Sequence, residues 1–406
     1  ILVPQPVHVP QGVQVAQLAS SLVRALARGP GRSSTGVLRS FVPPGLTPAI
    51  SVPVGSQGVA DVSLNGPDPG PLSRKTTRLV LAQLSWTLRQ DTSITSFRLS
   101  IAGHQITDST GAATFTLGIG HKDPYDPAVS LSSGLFYALR SGRLVSGQIN
   151  QPTPVGGPFG TARLGIGPFA VRLDGNVVAG VTSSALLLGP VQEDHPAVPV
   201  LTLPNLLRPA WDFAGRLWDV QNAPGGATVL YVQHGRHHRV RVPGVSGQDV
   251  RRFLVSRDGS RLVAVIHGAR SDRLVVSRLR YDADDHPVRG TRARRIPWLS
   301  SGTTRIRDIG WTSPTTIEVL DRLSHSQAEA RILNVDGSTS IDETSPIAIA
   351  GTAIGLATSP VGTLTPPTPY AVLSHSLFDL AQDDVARTAS SQTIDTPGLR
   401  HITYAG

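Results

Sequence analysis

The sequence predicts two folds in series: a small α+β domain over residues 1–106 and an all-β propeller over residues 134–406, joined by a linker at 107–133. Three observations predict this. The hydrophobic period alternates between 3.6 and 2 in the first hundred residues and shows no clear helical stretch afterwards. A strand, a glycine-bearing turn and a second strand recur through the later part of the chain. The 406 residues include no cysteine, so disulfide scaffolds, cysteine nucleophiles and thiolate metal sites are excluded and stability must come from packing.

In the first domain, VQVAQLASSLVRALA (Val13 to Ala27) sets Val15, Leu18, Ala19, Leu22 and Leu26 at helical spacing, and Gly29-Pro30 stops the helix. AISVPV (Ala49 to Val54) and VADVSLNG (Val59 to Gly66) then alternate across a Gly-Ser-Gln-Gly turn, as a hairpin with one buried face does. A second helix is expected from about Leu72 to Arg89, with Leu79, Val80, Gln83, Leu84 and Leu88 along one side. SFRLSIAGHQI closes the domain as a hairpin with Ala102-Gly103 at its tip. Thr107 to Ser133, rich in Gly, Pro, Asp and Ser, reads as the linker.

The propeller rests on repetition. LFYALRSGRLV, FAVRLDGNVVAGV, WDFAGRLWDV, FLVSRDGSRLVAVI and ILNVDGSTSI each place a Gly between two strand-like runs, at Gly142, Gly175, Gly215, Gly259 and Gly337. The first four lie 33 to 44 residues apart, near the period of a four-stranded blade. Gly337 lies about two periods after Gly259, so IRDIGWTSPTTIEVLDR, with a Ser-Pro turn, is expected to supply a blade between them. About six blades result, with seven as the alternative. Asp174-Gly175, Asp258-Gly259 and Asp336-Gly337 are expected to be type I′ turns, in which both central residues have positive φ.

No catalytic constellation emerges, and the chain is expected not to be an enzyme. The sequence contains no Gly-x-Ser-x-Gly elbow, HExxH or Gly-Lys-Ser loop, and Gly165-Ile166-Gly167 is followed by no helical pattern, so no cofactor is expected. HGRHHR (His234 to Arg239) offers neighbouring histidines that a strand would point to opposite faces, which does not make a metal site. Paired carboxylates for glycoside hydrolysis are scarce, since the only glutamates are Glu193, Glu318, Glu329 and Glu343. The net charge of +9 is nearly all arginine, Lys75 and Lys122 being the only lysines. It points to an anionic membrane surface or an acidic cell-wall polymer, whereas the scattered arginines lack the arrangement that nucleic-acid binding needs. RGTRARRIPW concentrates the charge: Arg289, Arg292, Arg294 and Arg295, with Trp298 as an apolar anchor, are the candidate partner-binding residues.

LVRALARGP, FVPPGLTPAISVPV, GVADVSLNG, LVLAQLSWTLRQ and FRLSIAG resemble GerMN domains. RPAWDFAGRLWDVQ, VRRFLVSRDGSRLVAVI and IRDIGWTSPTTIEVL resemble the propeller half of the actinobacterial LpqB lipoprotein family. The resemblance implies a lipoprotein anchored on the extracytoplasmic side of the cell membrane, with the lipid-bearing cysteine and the first GerMN strand expected to precede this chain. It also implies a partner, the extracytoplasmic region of the sensor histidine kinase MtrB, which signals to the response regulator MtrA and affects wall homeostasis and division. A monomer is expected. A carbohydrate-binding module for peptidoglycan or arabinogalactan is the alternative reading.

Overall fold

The computed structural model describes residues 2–7, 9, 15–31, 37–108, 110–117, 125, 133–297, 305–338, 346–359, 368–381 and 393–406. They divide into two compact units, Ile1–Pro127 and Ala128–Gly406.

In the first unit, helix α1 (Val15–Arg28) is stopped at Gly29, whose φ of 72° suits a residue without a Cβ. Strand β1 (Thr47–Pro48) runs antiparallel to β2 (Val59–Asn65), whose alternating burial puts Ala60, Val62 and Leu64 inside. Helix α2 (Arg74–Leu88) starts at Ser73, whose hydroxyl accepts the Thr76 amide at 3.1 Å. It buries Val80, Leu84 and Leu88, one turn apart. The chain returns as β3 (Ser96–Ile101), parallel to β2, so α2 is the crossover of a βαβ unit rather than a spacer between two separate hairpins. β4 (His104–Gln105) extends the sheet. β5 (Thr114–Thr116) pairs with the early part of β3 and packs Phe115 on Phe97 at 5.3 Å. Residues 114–116, which composition places in the linker, therefore form a sheet strand.

Among the described residues of the second unit, the strands form six sheets of four strands, one of them with a fifth short strand, and in five of the six the four follow in sequence from the inside outward. Blades 2 to 6 take their inner strands from Phe169–Val171, Ala210–Trp211, Val250–Val255, Ile306–Trp311 and Ala353–Ala357. Blade 1 takes its inner strand from the other end of the chain. Leu399–Tyr404 pairs with Phe136–Arg140, ahead of Arg143–Gln148 and Gln151–Pro154. Neighbouring inner strands touch in ring order, from blade 1 round to blade 6 and back to blade 1.

The packing explains why FLVSRDGSRLVAVIH carries so much apolar residue. All six residues of Arg261–Ile266 are buried. Leu262, Ala264 and Ile266, with Phe253 and Val255, meet Trp218, Val220 and Val229 of blade 3. Val263 and Val265, with Leu254, meet Ile309, Trp311 and Val319 of blade 5. The remaining seams follow suit: blades 1 and 2 meet through Leu144 and Phe169, 2 and 3 through Leu186 and Leu217, 5 and 6 through Leu320 and Phe378, and 6 and 1 through Tyr370 and Tyr404. The Arg261–Ile266 strand thus has two buried faces, and each fully buried Val, Leu or Ile contributes roughly 1.5–3 kcal/mol.

One seam also holds a polar network. Asp212 accepts the Trp218 indole N–H at 2.9 Å, the Arg216 guanidinium at 3.2 Å and the amides of Ala214 and Arg216. Arg216 reaches Asp285 of blade 4 at 2.8 Å and lies over the Tyr281 ring, whose hydroxyl donates to the Gly259 carbonyl. Burial raises the Asp212 pKa despite these donors.

The Asp-Gly turns are not type I′. Only their glycines have positive φ, 77° at Gly175, 69° at Gly259 and 79° at Gly337, and each glycine amide donates to the carbonyl three residues back. Asp174, Asp258 and Asp336 are absent from the positive-φ set because each carboxylate accepts the amide two residues ahead, at 3.0, 2.8 and 3.0 Å, which favours a right-handed turn ending in a left-handed glycine. Ser141-Gly142 and Ala102-Gly103 do have positive φ at both residues.

Nor are the five turns one repeated position. Gly175, Gly215 and Gly259 join first to second strands, Gly142 joins second to third because blade 1 borrows its inner strand, and Gly337 follows the third strand of blade 5. Gly337 and the Ser-Pro turn therefore lie in the same blade. At Gly259 a Cβ would lie 2.6 Å from the Tyr281 hydroxyl. Gly259→Val is expected to cost on the order of 1–3 kcal/mol through its backbone conformation alone. A thermal melt matching the parent's would refute this.

Candidate functional site: a basic edge and a cationic axial mouth

The outer strands of blades 3 and 4 meet where Arg241 and Arg289 bridge in parallel, with the Gly290 amide donating to the Arg241 carbonyl at 2.8 Å. Blade 3 brings exposed Arg236, Arg239 and Arg241 to this edge, and blade 4 brings exposed Arg289, Arg292, Arg294 and Arg295. None of these seven forms an ion pair among the described residues. Arg294 and Arg295 form a short strand on Arg273–Tyr281, beside half-buried Arg278, whose pKa falls to about 10 through desolvation and the nearby Arg261 charge. The four arginines singled out in the sequence thus share one edge, while Trp298 lies outside the described residues. His238 is occupied in stacking on Tyr231 at 4.8 Å.

Asp174, Asp258 and Asp336 sit apart, in three separate turns. Asp174 is paired with Arg172 at 2.6 Å and Asp258 with Arg261 at 3.5 Å, while Asp336 accepts the Ser338 hydroxyl at 2.6 Å.

A second cluster escaped the sequence reading. Asp308, at the start of the blade 5 inner strand, is buried and faces Arg252 of blade 4 at 3.2 Å and Arg208 of blade 3 at 3.7 Å. Blades 3 and 5 are not neighbours, so this carboxylate and Arg208 meet over the ring axis. Its second oxygen accepts the Leu356 amide of blade 6 at 2.9 Å. His401 of blade 1 has its pKa lowered by desolvation and then by the charges of Arg208, Arg400 and Arg252. It is solvent-accessible yet close to groups from other blades, as a channel wall is. Arg307 and Arg400 have no carboxylate partner among the described residues, and the Arg307 Nε is buried without a hydrogen bond.

Irregularities in the strands aim these groups inward. Register shifts fall between Val250 and Arg252, Ile306 and Asp308, Ala353 and Gly355, and Arg400 and Thr403, near the start of each long inner strand. Bulges of this kind re-aim side chains. At the other end of the axis, buried Arg257 of blade 4 donates to Ser359 of blade 6 at 2.9 Å and to the Ala405 carbonyl of blade 1 at 3.2 Å. Desolvation lowers its pKa to about 10, so it stays charged at neutral pH.

Comparison with known proteins agrees with the two-part architecture. Residues 1–107 match a family described as sporulation and spore germination, and residues 142–359 match one described as the lipoprotein LpqB beta-propeller domain. The lipoprotein LpqB of Thermobifida fusca (strain YX) is 25% identical over 89% of this chain and 63% of its own length; that of Rhodococcus jostii (strain RHA1) is 27% identical over 62% and 45%. The chain therefore spans less than two thirds of the length of these relatives. A solved TolB from Acinetobacter baumannii aligns over 83% of this chain and 86% of its own, with 13% identity and a TM-score of 0.43. Among the described residues no helix is long and apolar enough to cross a membrane. With a GerMN-type domain followed by a matching propeller, the chain belongs to the LpqB lipoprotein family.

Proposed function

We propose that this chain is the binding region of a non-enzymatic lipoprotein held outside the cytoplasmic membrane, and that it docks on the extracytoplasmic domain of the sensor kinase MtrB to modulate MtrAB signalling in wall homeostasis and division. One observation carries the reading. Seven exposed arginines, none ion-paired among the described residues, lie on the adjoining outer strands of two blades, a surface that fits an acidic face on a folded partner. Family membership and the lipoprotein names of the relatives support the setting.

Purified chain is expected to bind the sensor domain as a monomer. Replacing Arg289, Arg292, Arg294 and Arg295 together by Glu should weaken binding at least tenfold and slow association, because rim charges act chiefly on encounter. No binding at about 100 µM, a weak limit for a specific contact, overturns the proposal.

The same edge also favours a second reading, adsorption to an anionic wall polymer. Sedimentation with purified walls separates the two: polymer adsorption fades steeply as salt rises through the physiological range, and it needs no sensor domain.

A further inference from the structure

We infer that the axial mouth at the start of the inner strands is a binding site for a small multivalent oxyanion, with carboxylate or phosphate groups held by Arg208, Arg252, Arg400 and His401. This site is separate from the basic outer edge and does not depend on the kinase partner.

Convergence is the first argument. Blade 3 supplies Arg208, blade 4 Arg252, blade 5 Arg307 and Asp308, and blade 1 Arg400 and His401. A solvated basic face needs no such meeting of separate strands over an axis. Two guanidinium groups from different blades face one carboxylate, which also accepts a backbone amide from a third. Most of their donors are left over, in the fork geometry that suits planar or tetrahedral oxyanions.

Space is the second argument. The remaining two blades contribute glycines at this level. A Cβ at Gly167 of blade 2 would have a single neighbour, the His401 Nε2 at 3.9 Å, and one at Gly355 of blade 6 would come within 3.2 Å of Asp308. A side chain at either glycine would therefore crowd His401 or Asp308.

The third argument is energetic. Like charges gathered near a common axis oppose folding, and Arg257 at the far end adds another cation with no ion pair among the described residues. Concentrated unfavourable charge is the pattern that a ligand of opposite sign relieves.

The test uses the whole chain and two probes, inorganic phosphate and succinate, titrated calorimetrically at constant ionic strength against sodium chloride. Saturable binding of one of them at one site per chain is expected, and the preferred probe separates a phosphate source from a carboxylate source. The Arg208→Gln/Arg252→Gln variant should bind at least tenfold more weakly, while Arg289→Gln/Arg292→Gln on the outer edge should bind as the parent does. Gly167→Val, which fills the mouth without changing charge, gives a second reading that survives if the double variant fails to fold; it too should weaken binding about tenfold. Absence of saturable binding by both probes overturns the inference, as does equal loss in the outer-edge variant or unchanged affinity in Gly167→Val. Kinase binding that fails while anion binding persists refutes the proposed partner and leaves this site standing.

Discussion

Asp212→Ala is expected to destabilise the propeller by roughly 3–5 kcal/mol, the cost of leaving a buried charge uncompensated. Arg216 is nearly inaccessible and would lose its buried carboxylate partner, keeping only solvent-exposed Asp285, and the Trp218 indole would lose its acceptor. Asp212→Asn, which keeps an acceptor for the indole, should cost less. Urea unfolding of the three proteins measures the difference, and a loss below about 1 kcal/mol for Asp212→Ala would show that the network does not hold blades 3 and 4 together.

Glu318→Gln is expected to stabilise the protein at alkaline pH. The Glu318 carboxyl is buried in blade 5, and burial pushes its pKa from 4.5 up to about 7. The folded state therefore holds this proton more tightly than the unfolded chain does. Its contribution is present in full below pH 4.5 and is lost as pH rises through 7, a change of about 3 kcal/mol. The glutamine variant lacks that loss, so the difference between variant and parent should grow by about 3 kcal/mol between pH 4 and pH 8.5. A difference that stays flat across this range would show that Glu318 is not held in its neutral form.

The two-part architecture was legible because hydrophobic period reports which residues are buried. The helix of Arg74–Leu88 could be read from Val80, Leu84 and Leu88, and the hairpins around Gly215 and Gly259 from their paired apolar runs. Period does not report pairing partners. The parallel match of Val59–Asn65 with Ser96–Ile101 was hidden because either neighbour would satisfy the same alternation. The closing strand Leu399–Tyr404 offset the count of turns by one strand, which made Gly142 look equivalent to Gly175. The basic edge was visible as a dense run. The axial mouth was not, since its members lie far apart in sequence, yet a signal existed: Arg208, Arg252, Arg307 and Arg400 each stand within a few residues of where an inner apolar run begins. A charge recurring at the entrance to the innermost strand marks the axis of a ring.

The closing strand also dictates how the molecule is assembled. While the ribosome is still making blade 6, the face of Phe136, Ala138 and Val145 has no cover from Tyr370 and Val372, and Phe136–Arg140 is an open strand edge awaiting Leu399–Tyr404. An unpaired edge beside bare apolar surface is the form of a nascent chain most prone to aggregate. Because the strand that removes it follows the ring's other described strands in the chain, the final lock is set after those strands exist. A chaperone able to shield that one edge would protect this protein through the vulnerable interval of its biogenesis.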